Sequence, residues 1–70
     1  MPESCAYIID SLIDVRHARG MSQKDVALAA GLPQSVIARL ESKKAMPQLD
    51  TLVKVATALS CDIAVVPIVE

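Results

Sequence analysis

The sequence contains almost no aromatic residues: it has no Trp or Phe, and Tyr7 is its one aromatic side chain. Hydrophobic residues nevertheless make up 53% of the 70 residues. The core must therefore be aliphatic, which suits short helices packed closely together. A chain of this length forms one domain near the lower size limit for folding on a single core.

Residues that carry catalysis or bind metals are also scarce. His17 is the only histidine, and the two cysteines, Cys5 and Cys61, have no CxxC or other metal-ligand spacing. No Ser/His/Asp arrangement, Gly-rich phosphate loop or carboxylate pair stands in a context that would support catalysis. We therefore expect no enzymatic activity, no metal and no cofactor. The sequence leaves a disulfide between the two cysteines open as an alternative to the reduced thiols that are usual in a cytosolic protein.

Long apolar runs are missing as well. None approaches the ~18–20 residues of a transmembrane helix, and no basic segment opens a signal peptide. These absences predict a cytoplasmic protein without a membrane partner. The sequence also shows no internal repeat, low-complexity tract or linker.

Charge is unevenly distributed along the chain. The net charge of −1 argues at first against a polyanionic partner. Residues 16–44, however, hold six basic and two acidic side chains, a net charge of +4, whereas the flanking segments together carry −5. A local basic segment of this size indicates moderate, salt-sensitive attraction to phosphate.

Apolar residues recur at three- and four-residue intervals in four segments, which predicts four helices. Ser4 is expected to cap the first helix and Ser22 the second, where Asp25 completes a capping box. Gly20 and Gly31 are expected to end these two helices. The predicted helices run from about Ser4 to Arg19, from Ser22 to Ala30, from Gln34 to Ser42 after Pro33, and from Leu49 to Leu59.

Residues 22–41 carry the spacing of a helix-turn-helix hairpin. Counting Gln23 as the first position, Ala27 is fifth, Gly31 ninth and Ile37 fifteenth. Ala27 lets the second helix of the hairpin approach closely, Gly31 can adopt a positive φ, and Ile37 seals the two helices together. The pattern predicts DNA binding through the second helix of the hairpin. The alternative interpretation is an ordinary helical hairpin.

Residues 61–70 differ from the rest because they are rich in β-branched residues, which predicts a strand. A single strand has no partner in a helical chain, yet its backbone polar groups must be paired. We expect it to pair with the same strand of a second copy across a two-fold axis. The alternative is a disordered or helix-packed tail. The predicted dimer-interface residues are Ile63, Val65, Val66 and Ile68.

Three motifs accompany the hairpin: RxxRGMSQ at 16–23, IxRLE at 37–41 and PxLDxL at 47–52. Together they resemble the Xre/Cro-type (lambda-repressor-like) DNA-binding domains over roughly residues 8–60. Members of that family usually add a fifth helix. The strand expected here is instead similar to the HipB-type and HigA-type antitoxins. The predicted fold is therefore all-α, with a four-helix helix-turn-helix domain at 1–60 and a dimerisation strand at 61–70.

The resemblance implies a role for each matching residue. Lys43 stands where Gly is common, which predicts a positive φ, and Pro33 replaces the usual Ser or Thr cap of the recognition helix. Arg16 and Glu41 match a pair that forms a structural salt bridge. The implied base contacts are Gln34, Ser35, Ala38 and Arg39, and the implied phosphate contacts are Gln23, Lys24, Lys43 and Lys44.

These features predict a homodimeric repressor that binds a palindromic operator in double-stranded DNA. The antitoxin branch adds a second partner, a cognate toxin. The alternative is a protein-interaction module that has the same fold without DNA binding. The net negative charge and the excess of apolar residues support that alternative.

Overall fold

Four α-helices form close to the positions that the apolar periodicity predicts. The computed structural model of the chain describes residues 1–69. The four helices are α1 (Glu3–Ala18), α2 (Gln23–Ala30), α3 (Gln34–Ser42) and α4 (Leu49–Ala58). The longest described helix has 16 residues, and none of them is long and apolar enough to cross a bilayer.

The predicted capping box at the start of α2 is present. Ser22 Oγ accepts a hydrogen bond from the Asp25 backbone N–H at 3.0 Å, and the Ser22 N–H donates to Asp25 Oδ2 at 2.8 Å. These bonds satisfy donors that a helix N-terminus leaves unpaired. The N–H of Ser22 stabilises the carboxylate and thereby lowers the pKa of Asp25. The residue after α2, Gly31, has the left-handed conformation expected of it, with φ 69°.

The start of α1 differs from the prediction. Ser4 lies inside the helix, and Pro2 is the N-cap residue. The Pro2 carbonyl accepts hydrogen bonds from the N–H groups of Cys5 and Ala6 at 3.1 and 3.0 Å. Proline is compatible with this position because its fixed φ suits a helix start and its missing N–H needs no partner there. The prediction of Ser4 as the cap was wrong.

An aliphatic core joins all four helices. Ile9 and Leu12 come from α1, whereas Ile37 and Leu40 come from α3, each no more than 8% exposed. The small side chain of Ala27 is 3% exposed, in agreement with its predicted role in letting α3 approach α2. The remaining buried residues are Val26, Val55, Ala56 and Leu59. Because these side chains lie on one side of each helix, the opposite sides are left for solvent or partners.

Residues 61–69 do not form the predicted strand. The Cys61 N–H donates to the Ala56 carbonyl at 2.8 Å and closes the end of α4. Beyond that point the four predicted interface residues are exposed, most strongly Val65 at 98% and Ile68 at 89%. A strand needs a neighbouring strand, and none of residues 1–69 supplies one to this segment. The last residue of the prediction, Glu70, lies outside the described residues.

Replacing Gly31 with Ala should lower the free energy of unfolding by about 1 kcal/mol, because a Cβ disfavours the left-handed region. Beyond the neighbouring residues in the chain, a Cβ at this position would have no atom within 4 Å, so the cost comes from the local backbone conformation alone. Gly31→Asn should cost less, since Asn tolerates this conformation. Urea unfolding measures both, and equal stability of wild type and the Ala variant would contradict the assigned backbone.

Candidate nucleic-acid interface

The four predicted base-contact residues lie on the exposed side of α3. Gln34, Ser35, Ala38 and Arg39 are all exposed. Their spacing of one, four and five residues places them along one face of a helix. Ile37, only 1% exposed, points the other way into the core. Packing of the buried side therefore sets which side chains α3 presents.

The entry to α3 follows the sequence prediction. Pro33 is the N-cap, with φ −63° and ψ 146°, and no side chain caps the helix. The Pro33 carbonyl accepts a hydrogen bond from the Val36 N–H at 3.0 Å. The helix therefore begins on backbone bonds alone, with Gln34 and Ser35 in its first turn.

A salt bridge joins α1 to α3, as the resemblance implied. Arg16 Nε donates to Glu41 Oε2 at 2.7 Å, and Arg16 Nη2 donates to Glu41 Oε1 at 2.8 Å. Each side chain is only 12% exposed. Arg16 Nη1 also donates to the Met21 carbonyl at 2.9 Å, which fixes the turn between α1 and α2. This bidentate pair therefore ties three segments of the domain together.

Gln23 takes part in the same cluster. Its Nε2 donates to Glu41 Oε1 at 3.1 Å, and the residue is half-buried at the start of α2. One amide hydrogen is thus used within the protein, which leaves one N–H and the carbonyl oxygen. Sequence reasoning assigned Gln23 to phosphate alone and missed this contact. Lys24, the next residue, is exposed.

The two lysines that follow α3 have different surroundings. Lys43 has φ 58°, the positive value predicted for a position where Gly is common. Its Nζ donates to Asp10 Oδ1 of α1 at 2.7 Å, a contact that the sequence reasoning missed. Lys44 is exposed and forms no ion pair with any of residues 1–69. The predicted phosphate contacts are therefore not equivalent.

Comparison with known proteins gives the family. The family model described as helix-turn-helix matches residues 12–66, which include all of α2, α3 and α4. This chain belongs to the helix-turn-helix family. The family predicted from the motifs at 16–23, 37–41 and 47–52 is thereby confirmed.

Two relatives of this chain are named as helix-turn-helix transcriptional regulators. The chain is 38% identical over 61 residues to an uncharacterized HTH-type transcriptional regulator of Haemophilus influenzae and, at the same identity and length, to one of Sinorhizobium fredii. Both matches cover 87% of this chain. The helix-turn-helix chain spans 62% of the first relative and 31% of the second.

A solved structure is similar to this chain in both fold and sequence. It is described as a toxin-antitoxin module from Streptococcus pneumoniae, with a TM-score of 0.77 and 43% sequence identity. The match covers 93% of this chain and 71% of that chain. The similarity extends over nearly the whole chain, beyond the helix-turn-helix hairpin.

Replacing Arg16 with Ala should lower the free energy of unfolding by about 2–4 kcal/mol. The Glu41 carboxylate would be left mostly buried without its cation, and partial exposure discounts the value for a fully buried pair. Arg19→Ala is the control, because Arg19 is exposed and its loss should cost about 0.5 kcal/mol or less. The double variant Arg16→Met/Glu41→Leu should recover most of the stability. Thermal unfolding that shows the double variant no more stable than Arg16→Ala would contradict this account.

Proposed function

We propose that this chain is a sequence-specific DNA-binding transcriptional regulator that acts as a homodimer on a palindromic operator. The observation that carries the proposal is the exposed face of α3, whose opposite face is held in the core by Ile37 and Leu40. In helix-turn-helix proteins the second helix of the motif lies in the major groove, where its side chains contact base edges.

The side chains on that face have the chemistry of base recognition. The Gln34 amide can bind adenine with two hydrogen bonds, and the Arg39 guanidinium can do the same with guanine. Ser35 can bond to either kind of base, and the methyl group of Ala38 can contact a thymine methyl. Each bidentate contact contributes roughly 1–3 kcal/mol of discrimination. Four base-contacting side chains on one helix would be sufficient to recognise a short half-site.

Contacts to the DNA backbone would set the register without reading sequence. Gln23 and Lys24 are at the start of α2, and Lys43 and Lys44 follow α3, so they lie at separate points along the hairpin. The net charge of +4 over residues 16–44 supports this assignment. Because that charge is moderate, tight binding requires two copies.

The C-terminal segment would form the contact with a second copy of the chain. Residues 61–70 are the proposed dimerisation segment, and residues 1–60 the DNA-binding domain. Apolar side chains as exposed as Ile63, Val65, Val66 and Ile68 mark an interaction surface. Pairing of this segment with itself across a two-fold axis would satisfy its backbone groups and cover those side chains. The recognition helices would then enter half-sites about 34 Å apart.

The chain is further proposed to be the antitoxin of a toxin-antitoxin pair. The support is its 43% identity, over 93% of its length, to a structure described as a toxin-antitoxin module. The product of the adjacent reading frame is the partner to test. Co-expression should yield a complex that co-purifies with the chain. A neighbouring product that neither binds the chain nor arrests growth would contradict the antitoxin role and leave the regulator role standing.

Two alanine variants should separate base recognition from phosphate contact. Arg39→Ala should relax preference at one base pair of each half-site and cost about 1–3 kcal/mol on the best site. Lys44→Ala should weaken binding to all sequences alike and reduce the salt slope by about 1. Fluorescence anisotropy on duplexes from the chain's own upstream region, with single base changes, measures both.

Lys54→Ala is the matched control for charge, because Lys54 is also an exposed lysine but lies on α4, outside the proposed base and phosphate contacts. It should change neither the base preference nor the salt slope by as much as Lys44→Ala. An unchanged base preference in Arg39→Ala would remove that residue from the readout. A stable dimer without affinity for any duplex at low salt would favour the interaction module over the regulator.

Val65→Asp should abolish dimerisation and, with it, tight operator binding, since a carboxylate would be buried where two apolar segments meet. Leu28→Asp is the control, because Leu28 is also exposed, at 73%, but lies on α2. Sedimentation equilibrium should give a monomer for the first variant and a dimer for the second. A dimeric Val65→Asp protein would show that the interface lies elsewhere.

A further inference from the structure

The basic side chains proposed to hold phosphate differ in how available they are. The Lys43 ammonium is 2.7 Å from the Asp10 carboxylate, and these side chains are 37% and 52% exposed. Lys44, the next residue, is exposed and forms no ion pair within residues 1–69. One of two consecutive lysines at the proposed DNA surface is therefore neutralised by α1.

The backbone conformation at Lys43 is uncommon for a residue with a side chain. The residue is left-handed, with φ 58°, and its N–H closes α3 on the Leu40 carbonyl at 3.2 Å. Glycine would occupy this position without strain, whereas a lysine is disfavoured there. A strained conformation kept by a long charged side chain calls for a functional explanation. Capping alone does not explain it, because glycine would cap α3 equally well.

We infer that Asp10 attenuates DNA binding by competing with a backbone phosphate for the ammonium group of Lys43. This inference rests on the proposed function. While the pair is intact, its net charge is zero, so Lys43 adds little to the attraction for a phosphate. Each phosphate that is neutralised releases counterions, and that release makes binding depend on salt. Lys43 can neutralise a phosphate only after the pair has opened. Asp10 therefore lowers the affinity by the free energy of opening, whereas the number of counterions released in the complex, and with it the salt slope, stays the same.

The exposure of the pair makes this competition effective. Exposed ion pairs are weak, so a phosphate can displace the carboxylate when DNA binds. Arg16 of the same helix forms a mostly buried pair with Glu41 of α3. Two charge-assisted hydrogen bonds hold this pair, and it stays closed. Helix α1 thus carries one structural ion pair and one that DNA can open.

Asp14 provides a matched control. It lies one turn after Asp10 on α1, is exposed, and forms no ion pair with residues 1–69. Asp14→Asn removes the same charge from the same helix without touching Lys43. Any general effect of a less negative α1 appears in both variants, whereas the specific effect on Lys43 appears only in Asp10→Asn.

The experiment is a fluorescence anisotropy titration of the full chain on two labelled duplexes, one from its upstream region and one of mixed sequence. Salt is varied from about 50 to 200 mM. Asp10→Asn should bind both duplexes two- to fivefold more tightly than wild type, with an unchanged salt slope, because Lys43 contacts the same phosphate in both complexes. Asp14→Asn should gain less affinity and keep the wild-type slope. In a Lys43→Ala background, Asp10→Asn should gain no more than Asp14→Asn.

Each other result overturns the inference. Unchanged or weaker binding by Asp10→Asn would show that Asp10 is neutral or holds Lys43 in place for DNA. A gain that persists in the Lys43→Ala background would show a general charge effect. Asp10→Ala repeats the test if Asp10→Asn unfolds. If wild type binds neither duplex at low salt, the proposed function fails as well. If wild type binds DNA and the affinity of Asp10→Asn equals that of wild type, this inference alone is overturned.

Discussion

Burial of Ile37 and Leu40 is the constraint on which the other features of this domain depend. With these two side chains in the core, α3 presents Gln34, Ser35, Ala38 and Arg39 to the outside. Rotation of α3 about its axis by one residue would expose Ile37 and bring a charged or polar side chain inward. Burial of an unpaired charge is far more costly than exposure of an aliphatic side chain, so the orientation is well determined.

Ion pairs decide how much of the basic segment remains available for DNA. Among residues 1–69, Arg16 is committed to Glu41 and Lys43 to Asp10. The remaining basic residues of that segment form no such pair and are exposed: Arg19, Lys24, Arg39 and Lys44. A surface with four free cations binds phosphate moderately. The proposed regulation would therefore depend on two copies and on accurate base contacts rather than on bulk charge.

The C-terminal segment shows the limit of reasoning about one chain. Its β-branched composition favours a strand, but residues 61–69 extend from the domain without one. Strand pairing is a contact between segments, and none of residues 1–69 supplies a neighbouring strand to this one. The β-branched composition of this segment favours strand pairing, but a single chain offers it no neighbouring strand among residues 1–69.

Sequence alone was sufficient for most local features, although not for the cap of α1, and through the motifs it was sufficient for the family. Apolar periodicity placed all four helices, the Ser22–Asp25 box and Gly31 defined the ends of α2, and the Lys43 backbone followed from a family position. These features depend on neighbours within a few residues, which a pattern records. Only the tertiary structure decided that Lys43 pairs with Asp10 and that Gln23 donates to Glu41, contacts between residues 33 and 18 positions apart. Such pairs follow from how the helices pack, and no local spacing encodes that arrangement.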